Sequence, residues 1–190
     1  VVINEIKRIQ EKYGKNSFAM LSGVSLTNEK SYMIGKFARV ALKTANLDYN
    51  GRLCMVSAGA GNKKAFGMDR SSNSWADLAH AEVIIITGAN VSECFPVLTH
   101  KIWEARDNGA KLIVIDPRQI PIARTADIHL PLRPGTDSAL TNTMLKVLID
   151  NNWLDNDFIH NYTSGFEETA EAVKDCTLEW TEEVTGNPKT

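Results

Sequence analysis

Alternating helical and strand patterns run along most of this 190-residue chain. Apolar residues at a spacing of three and four predict helices, whereas short apolar runs bounded by polar or glycine residues predict strands. In the first half of the chain we predict helices over about 3–13, 28–44 and 74–79, and strands over 17–21 and 53–56. The second helix has one apolar face, which carries Met33, Phe37, Val40 and Ala41.

Two continuous apolar runs, at 83–86 and 112–115, are the strongest strand signals. The run 83–86 is entirely β-branched and has no alternating polar residues, so we expect this strand to be buried on both faces, as in parallel sheets. Pro96 suits the first turn of a helix that we expect to end near Asn108. A third strand is predicted over 128–132, and Thr136 or Asp137 can cap the helix that follows.

Strand–helix–strand units of this length predict an α/β fold with three layers, in which helices flank a mostly parallel, Rossmann-like sheet. We assign this domain to residues 1–150. Short helical segments rich in aromatic residues follow, and they predict a helical C-terminal extension of the same domain over 151–190.

Composition narrows the possible partners and the compartment. The net charge of -2 gives no basic surface for nucleic acid, and no apolar run is long enough for a membrane span. The three cysteines are far apart and form no CxxC pair, so a disulfide framework is not expected. We therefore expect a reducing compartment and a cytoplasmic location.

Polar loops follow the predicted strands, where open parallel sheets bind their ligands. They span 22–23, 50–61, 87–94, 116–118 and 133–137. Asp116 could accept hydrogen bonds from a ribose, and Asp137 could accept them from the N–H donors of a guanine. Each loop also has a simpler interpretation, because 88–90 and Asp116-Pro117 are common turn sequences and Asp137 could be only a helix cap.

Cys54 is the clearest candidate for metal chemistry, since a thiolate is a soft ligand for transition metals. The alternative is a small buried thiol, which is the usual state of a free cysteine. Asp127 and His129 share one face of a predicted strand and are expected to be structural. No GxGxxG or GxxxxGK[ST] fingerprint is present, so the residues alone predict only a nucleotide-binding α/β domain.

Four short motifs occur in order along the chain: Asn50-x-Arg52-x-Cys54, Gly88-x-Asn90-x-x-Glu93-x-x-Pro96, Asp116-Pro117-Arg118, and Leu132-Arg133-Pro134-Gly135-Thr136-Asp137-x-Ala139-Leu140. This series resembles the molybdopterin oxidoreductases, a family that includes nitrate reductases and formate dehydrogenases. The resemblance covers roughly residues 12 to 185.

The resemblance implies a role for each motif. Cys54 would coordinate molybdenum and act as the catalytic metal ligand of the cofactor, Mo-bis(molybdopterin guanine dinucleotide). One guanine dinucleotide arm would lie on the loop 88–94, at Gly88, Ala89, Asn90 and Glu93. The guanosine end would lie on two further loops, at Asp116, Pro117, Arg118, Gly135, Thr136 and Asp137. Asn50 would make another cofactor contact.

The resemblance also implies an oxidoreductase, most closely a nitrate reductase that forms nitrite by oxygen-atom transfer at molybdenum. Formate dehydrogenases usually have histidine after the metal ligand, whereas Met55 carries no proton there. However, the stretch 73–77 is more similar to formate dehydrogenases, and Val24 departs from the glutamine found in many nitrate reductases. A formate dehydrogenase-type enzyme therefore remains an alternative, as does a non-catalytic nucleotide-binding or assembly module.

The family's N-terminal [4Fe–4S] cysteine cluster and its C-terminal cofactor domain have no counterpart in these residues. We therefore expect a central fragment of a larger enzyme that is inactive when isolated. The parent would act on a small oxyanion and would receive electrons through an iron–sulfur cluster outside this fragment, from a partner protein or domain.

Overall fold

The computed structural model describes residues 1–188, in which short parallel sheets are flanked by helices. The helices are α1 (Val2–Tyr13), α2 (Asn28–Lys36), α3 (Gly51–Cys54), α4 (Val56–Phe66), α5 (Val91–Cys94), α6 (Pro96–Asp107), α7 (Asp137–Asp150), α8 (Asn156–Tyr162), α9 (Phe166–Val173) and α10 (Leu178–Thr185). The strands are β1 (Met20–Ser22), β2 (Leu47–Tyr49), β3 (Val83–Thr87), β4 (Lys111–Ile115) and β5 (Ile128–Leu130). Short 3-10 helices span Lys15–Ser17, Trp75–His80 and Pro121–Thr125. The predicted α/β class is confirmed.

The chain divides into two compact units, one over Val1–Ser72 and one that begins at Asn73. In the first unit, β1 and β2 form a parallel pair in which Met20 faces Leu47. Gln10 of α1 is buried, and its Nε2 donates to the carbonyl oxygen of Leu42 at 2.8 Å. This bond fixes α1 to the segment that precedes β2. The domain boundary predicted near residue 150 stays a prediction.

The helix predicted over 28–44 forms as α2 followed by a π-helical turn, Phe37–Ala41. Its predicted apolar face is largely exposed, because Met33, Phe37 and Val40 are between 47% and 66% accessible. Ala38 and Leu42 are buried instead. In the first unit, therefore, the apolar pattern identified a helix but not the side that packs inward.

The strand predicted over 53–56 is wrong. These residues lie across the end of α3 and the start of α4, and the strand of this region is β2. Tyr49 lies so close to Gly51 that a β-carbon there would be 2.2 Å from the tyrosine ring. A short apolar run cannot by itself distinguish a strand from a helix, and glycine at this position lets the chain turn directly into α3.

The second unit contains the larger sheet, in which β3, β4 and β5 are all parallel and β4 is central. Its core joins the inward side chains of β3 and β4 to α6, through Ile84, Ile86, Leu112, Val114, Ile102 and Ala105. The prediction that β3 is buried on both faces is wrong, because Val83 is 54% and Ile85 is 47% exposed. An edge strand that packs on one face alternates in burial even when its sequence is uniformly apolar.

The C-terminal helices pack against α7. Buried Thr143 of α7 shares a hydroxyl–hydroxyl hydrogen bond with buried Thr181 of α10. Beside it lies an apolar cavity of about 450 Å³ between these two helices. No helix among residues 1–188 is long and apolar enough to cross a membrane.

Candidate functional site

Cys54 is exposed, in contrast to the buried thiol that free cysteines commonly form. It is the last residue of α3, and its backbone N–H donates to the carbonyl oxygen of Asn50 at 3.2 Å. Because Asn50 directly follows β2, the thiol stands about one helical turn beyond the carboxyl end of a parallel strand. The interpretation of Cys54 as a buried hydrophobe is therefore wrong, and its sulfur is accessible to a ligand.

Asn50 joins the loops that follow β1 and β2. Its Oδ1 accepts the backbone N–H of Val24 at 2.8 Å, and its own N–H donates to the carbonyl oxygen of Ser22 at 3.2 Å. Only its Nδ2 end has no hydrogen bond within residues 1–188. The predicted cofactor contact of Asn50 would therefore use that end, since its oxygen already holds a neighbouring loop in place.

Arg52, the third residue of the cysteine motif, forms an ion pair with Asp48 of β2. The backbone N–H of Tyr49 and the side chain of Arg52 hold the pKa of Asp48 below its ordinary value. The pair links α3 to β2. Both side chains are at least one third exposed, so the pair adds little stability.

In the second unit, the loop after β3 is attached to the end of β4. Gly88 adopts a φ of +59°, and its N–H donates to the carbonyl oxygen of Ile115 at 2.9 Å. The carbonyl oxygen of Asn90 then accepts the N–H groups of Glu93 and Cys94, which starts α5. The side-chain Oδ1 of Asn90 is buried and has no hydrogen-bond partner in this structure. Such an orphaned acceptor is rare in folded proteins, and a water molecule or a ligand could supply its donor.

Asp116 is the first residue after β4 and is only 6% exposed. Its Oδ1 accepts the N–H of Arg118 at 2.8 Å, and the guanidinium Nε of Arg118 lies 3.9 Å from the same oxygen. The side chain of Arg118 is 73% exposed. Asp116 thus forms the expected turn, and that turn presents a cationic side chain at the edge of the sheet.

The third loop of this edge follows β5. Gly135 adopts a φ of +84°, and the hydroxyl of Thr136 donates to the carbonyl oxygen of Arg133 at 2.6 Å. Thr136 occupies the N-cap position of α7 but makes no side-chain capping bond. Asp137 begins the helix and is exposed. The hydroxyl of Thr136 therefore stabilises the loop and does not cap the helix.

Arg133 anchors this loop, a role that the sequence did not indicate. Its Nη1 donates to the carbonyl oxygen of Glu183 at 2.6 Å, and its backbone N–H donates to that of Thr185 at 2.8 Å. These bonds satisfy carbonyls at the end of α10, where a positive charge is favourable. Since the partners are about fifty residues apart in sequence, no local pattern could have revealed the contact.

Asp127 and His129 do not pair with each other. The Oδ2 of Asp127 accepts the N–H of Leu112 at 2.8 Å, whereas the Nε2 of His129 lies 2.9 Å from the carbonyl oxygen of Asp116. The two side chains therefore stabilise opposite ends of the β4–β5 pair, and only His129 lies near the candidate loops.

The predicted site residues thus form two groups, each at the carboxyl end of a parallel sheet. Asn50 and Cys54 belong to the first unit, and the other ten belong to the second: Gly88, Ala89, Asn90, Glu93, Asp116, Pro117, Arg118, Gly135, Thr136 and Asp137. Among residues 1–188 no three His, Cys, Asp or Glu side chains are grouped as metal ligands. A metal bound by Cys54 would therefore take its other ligands from another molecule or another part of the protein.

Comparison with known proteins identifies a family. The family model for molybdopterin oxidoreductase matches residues 1–176. The assimilatory nitrate reductase catalytic subunit of Bacillus subtilis is 43% identical over 166 residues, which are 87% of this chain and 23% of that protein. The F420-dependent formate dehydrogenase subunit alpha of Methanocaldococcus jannaschii is 41% identical over 175 residues, which are 92% of this chain and 26% of that protein.

A solved structure has the same fold. The acetylene hydratase from Pelobacter acetylenicus superposes with a TM-score of 0.69 at 31% identity, over 99% of this chain and 25% of that one. The chain therefore spans about a quarter of the length of each of these relatives.

Proposed function

This chain belongs to the molybdopterin oxidoreductase family, and we propose that it is the cofactor-binding part of an enzyme that reduces nitrate to nitrite. Membership implies a molybdenum–pterin cofactor. The observation that carries the proposal is the exposed thiol of Cys54 at a strand end, together with strand-end loops that suit a nucleotide. The catalytic activity is proposed for the longer parent protein.

The loops of the second unit fit the guanine dinucleotide form of this cofactor. The buried Oδ1 of Asn90 needs a hydrogen-bond donor, and an unsatisfied group of this kind costs about 1–3 kcal/mol. A guanine dinucleotide supplies such donors through its base N–H and ribose hydroxyl groups. The exposed guanidinium of Arg118 would face its phosphates, to which arginine binds well.

Cys54 would hold the metal through its thiolate, the form in which cysteine binds metals. When bound, the molybdenum group supplies the redox chemistry by which nitrate takes up two electrons and two protons and gives nitrite and water. The remaining metal ligands would come from the pterin dithiolenes. In this arrangement Asn50 positions the loop of the first unit, and Arg52 directs the helix that carries the thiol.

Met55 favours nitrate over formate. It directly follows Cys54, where formate dehydrogenases usually have histidine, and it is 43% exposed. A thioether has no exchangeable proton, whereas oxidation of formate to carbon dioxide releases a proton that a neighbouring base must accept. Formate remains the second candidate, because the formate dehydrogenase relative is nearly as similar as the nitrate reductase.

The test uses the full-length parent, assayed with nitrate and formate side by side. We expect nitrate-dependent oxidation of a reduced viologen, and a loss of at least about a hundredfold in Cys54→Ala, the scale of removing a group that acts on the reacting centre. Cys176→Ala removes a cysteine outside the proposed site and should retain activity. Unchanged turnover of Cys54→Ala with intact molybdenum would contradict the ligand assignment. If the parent turned over formate but not nitrate, formate would be the substrate instead.

A further inference from the structure

His129 lies at the middle of β5 and contacts the loop beyond the neighbouring strand β4. In the register of the two strands His129 faces Val114, and the last paired residues are Ile115 and Leu130. The ring Nε2 of His129 lies 2.9 Å from the carbonyl oxygen of Asp116, the next residue after this ladder. A carbonyl oxygen can only accept a hydrogen bond, so Nε2 carries the proton and donates it.

We infer that His129 is a positioning residue for the loop 116–118, and that it holds this loop in the form that binds the guanosine end of the cofactor. The inference rests on the proposed function. The bond continues the β4–β5 ladder by one position, through a side chain in place of a backbone donor. In this register the next backbone donor to the Asp116 carbonyl would be residue 131, and Pro131 has no N–H.

The contact fixes the orientation of a whole peptide unit. The carbonyl of Asp116 is held by His129, while its carboxylate holds the N–H of Arg118 at 2.8 Å. Rotation of the Asp116–Pro117 peptide would break the first bond and displace the second. The backbone from which the Arg118 side chain extends toward the proposed cofactor phosphates therefore depends on a histidine that does not itself need to touch the ligand.

The neighbouring loop depends on the same strand end. Gly88 donates its N–H to the carbonyl oxygen of Ile115, the residue before Asp116. The consecutive carbonyls of Ile115 and Asp116 thus accept hydrogen bonds from Gly88 in the loop after β3 and from His129 of β5. Loss of the His129 bond would free the carbonyl of Asp116 and leave the bond from Gly88 to Ile115 intact. We therefore expect only the loop 116–118 to become more mobile.

The experiment compares three variants of the full-length parent. His129→Leu removes the donor, His129→Gln keeps an N–H at a similar distance from the backbone, and Thr125→Val is the control. Thr125 donates to the carbonyl oxygen of Ile122 at 2.8 Å, so its replacement removes a similar bond four residues away from His129. If His129→Leu does not accumulate, His129→Asn takes its place, because its shorter amide does not reach the carbonyl.

Two measurements are made on each variant. Hydrogen exchange of the Arg118 amide is followed in the cofactor-free parent, and the retained guanine nucleotide is quantified after extended dialysis of the loaded parent. We expect His129→Leu to speed the exchange and to lower nucleotide retention, each by about tenfold, the scale of one hydrogen bond. His129→Gln should restore both, and Thr125→Val should change neither.

Wild-type values of either measurement in His129→Leu overturn the inference. Faster exchange with unchanged nucleotide retention would show that His129 stabilises the loop without positioning it for the cofactor, which also overturns it. A wild-type parent that carries no guanine nucleotide contradicts the proposed function instead, and the exchange rates alone then decide whether His129 fixes the loop.

Discussion

The carboxylate of Asp127, the residue before β5, makes three interactions. Its Oδ2 accepts the N–H of Leu112 at 2.8 Å, and Arg106 and Lys111 lie within 3.6 Å of its carboxylate. The hydrogen bond from Leu112 and the two positive charges lower the pKa of Asp127 below its ordinary value. A carboxylate with a lowered pKa makes the stability of the fold depend on pH.

We expect the free energy of unfolding to fall less steeply in acid for Asp127→Asn than for the wild type. The unfolded chain binds more protons in weak acid than the native chain does, so Asp127 stabilises the fold above the ordinary aspartate pKa of about 4. This contribution is lost as the pH falls through the lowered native pKa. Urea unfolding at about pH 5 and about pH 3 should show a smaller loss of free energy in the variant than in the wild type.

Asp107→Asn provides the matched control. Asp107 is an exposed aspartate of α6 whose carboxylate makes no hydrogen bond or ion pair within the described chain. The control should lose free energy of unfolding in parallel with the wild type. Equal acid losses in Asp127→Asn and the wild type would contradict a stabilising charge at Asp127.

Gly51 is required by the close approach of α3 to Tyr49. A β-carbon at this position would lie 2.2 Å from the tyrosine ring, so Gly51→Ala must displace either the ring or the helix that carries Cys54. We expect a loss of about 1–3 kcal/mol in the free energy of unfolding, as for other overpacked positions. Urea unfolding followed by circular dichroism measures this loss.

Gly61 offers the contrasting position. It lies inside α4, and a β-carbon added there would have no neighbouring atom within 4 Å. Gly61→Ala should therefore stabilise the chain by up to about 1 kcal/mol, because alanine favours a helix over glycine. Equal free energies of unfolding for Gly51→Ala and Gly61→Ala would contradict the prediction that the ring of Tyr49 requires glycine at position 51.

At the level of elements, α7 and α10 are joined by a directional hydrogen bond. The hydroxyl of Thr181 donates to the carbonyl oxygen of Thr177 at 2.9 Å. Its single proton is then used, so Thr181 accepts the proton of Thr143. The two hydroxyls are therefore not equivalent, although both are buried.

This direction predicts unequal effects of removing either hydroxyl. Thr181→Val leaves the donor of Thr143 buried and unpaired, and should cost about 1–3 kcal/mol in free energy of unfolding. Thr143→Val leaves the bond from Thr181 to Thr177 in place and should cost less. The double variant should cost less than the sum of the two single losses, since it leaves no unpaired donor. Equal losses in the single variants would contradict the assigned direction.

Continuous apolar runs and Pro96 predicted the elements of the second unit closely. The strands predicted over 83–86, 112–115 and 128–132 occur as β3, β4 and β5, and Pro96 begins α6 as expected. The weak signal over 53–56 failed because Val56 is its only β-branched residue, whereas all four residues of 83–86 are β-branched and favour a strand. The strand-end loops could be predicted from order alone, since every strand in the described chain is parallel to its neighbour.

At the scale of the whole molecule, the sequence did not predict what depends on distant contacts. The division after Ser72 and the anchoring of Arg133 to the end of α10 arise from packing between segments far apart in the chain. The orphaned Oδ1 of Asn90 is likewise visible only in three dimensions, because its burial depends on neighbours that the motif does not contain. The strand pattern located the loops, and the structure identified which of their atoms remain unpaired.

Met33, Phe37, Val40 and Leu53 are large apolar side chains of the first unit that are between 47% and 88% exposed. Extensive apolar surface of this kind marks contact regions in soluble proteins.

The bond from Gly88 to Ile115 connects two candidate loops through main-chain atoms only. No side chain contributes to this connection, so side chains of the loop after β3 can be replaced while the link from Gly88 to Ile115 stays in place. The charge and shape of that loop can therefore change without loss of its attachment to the sheet. Such a framework suits a family whose members are named for nitrate, formate and acetylene.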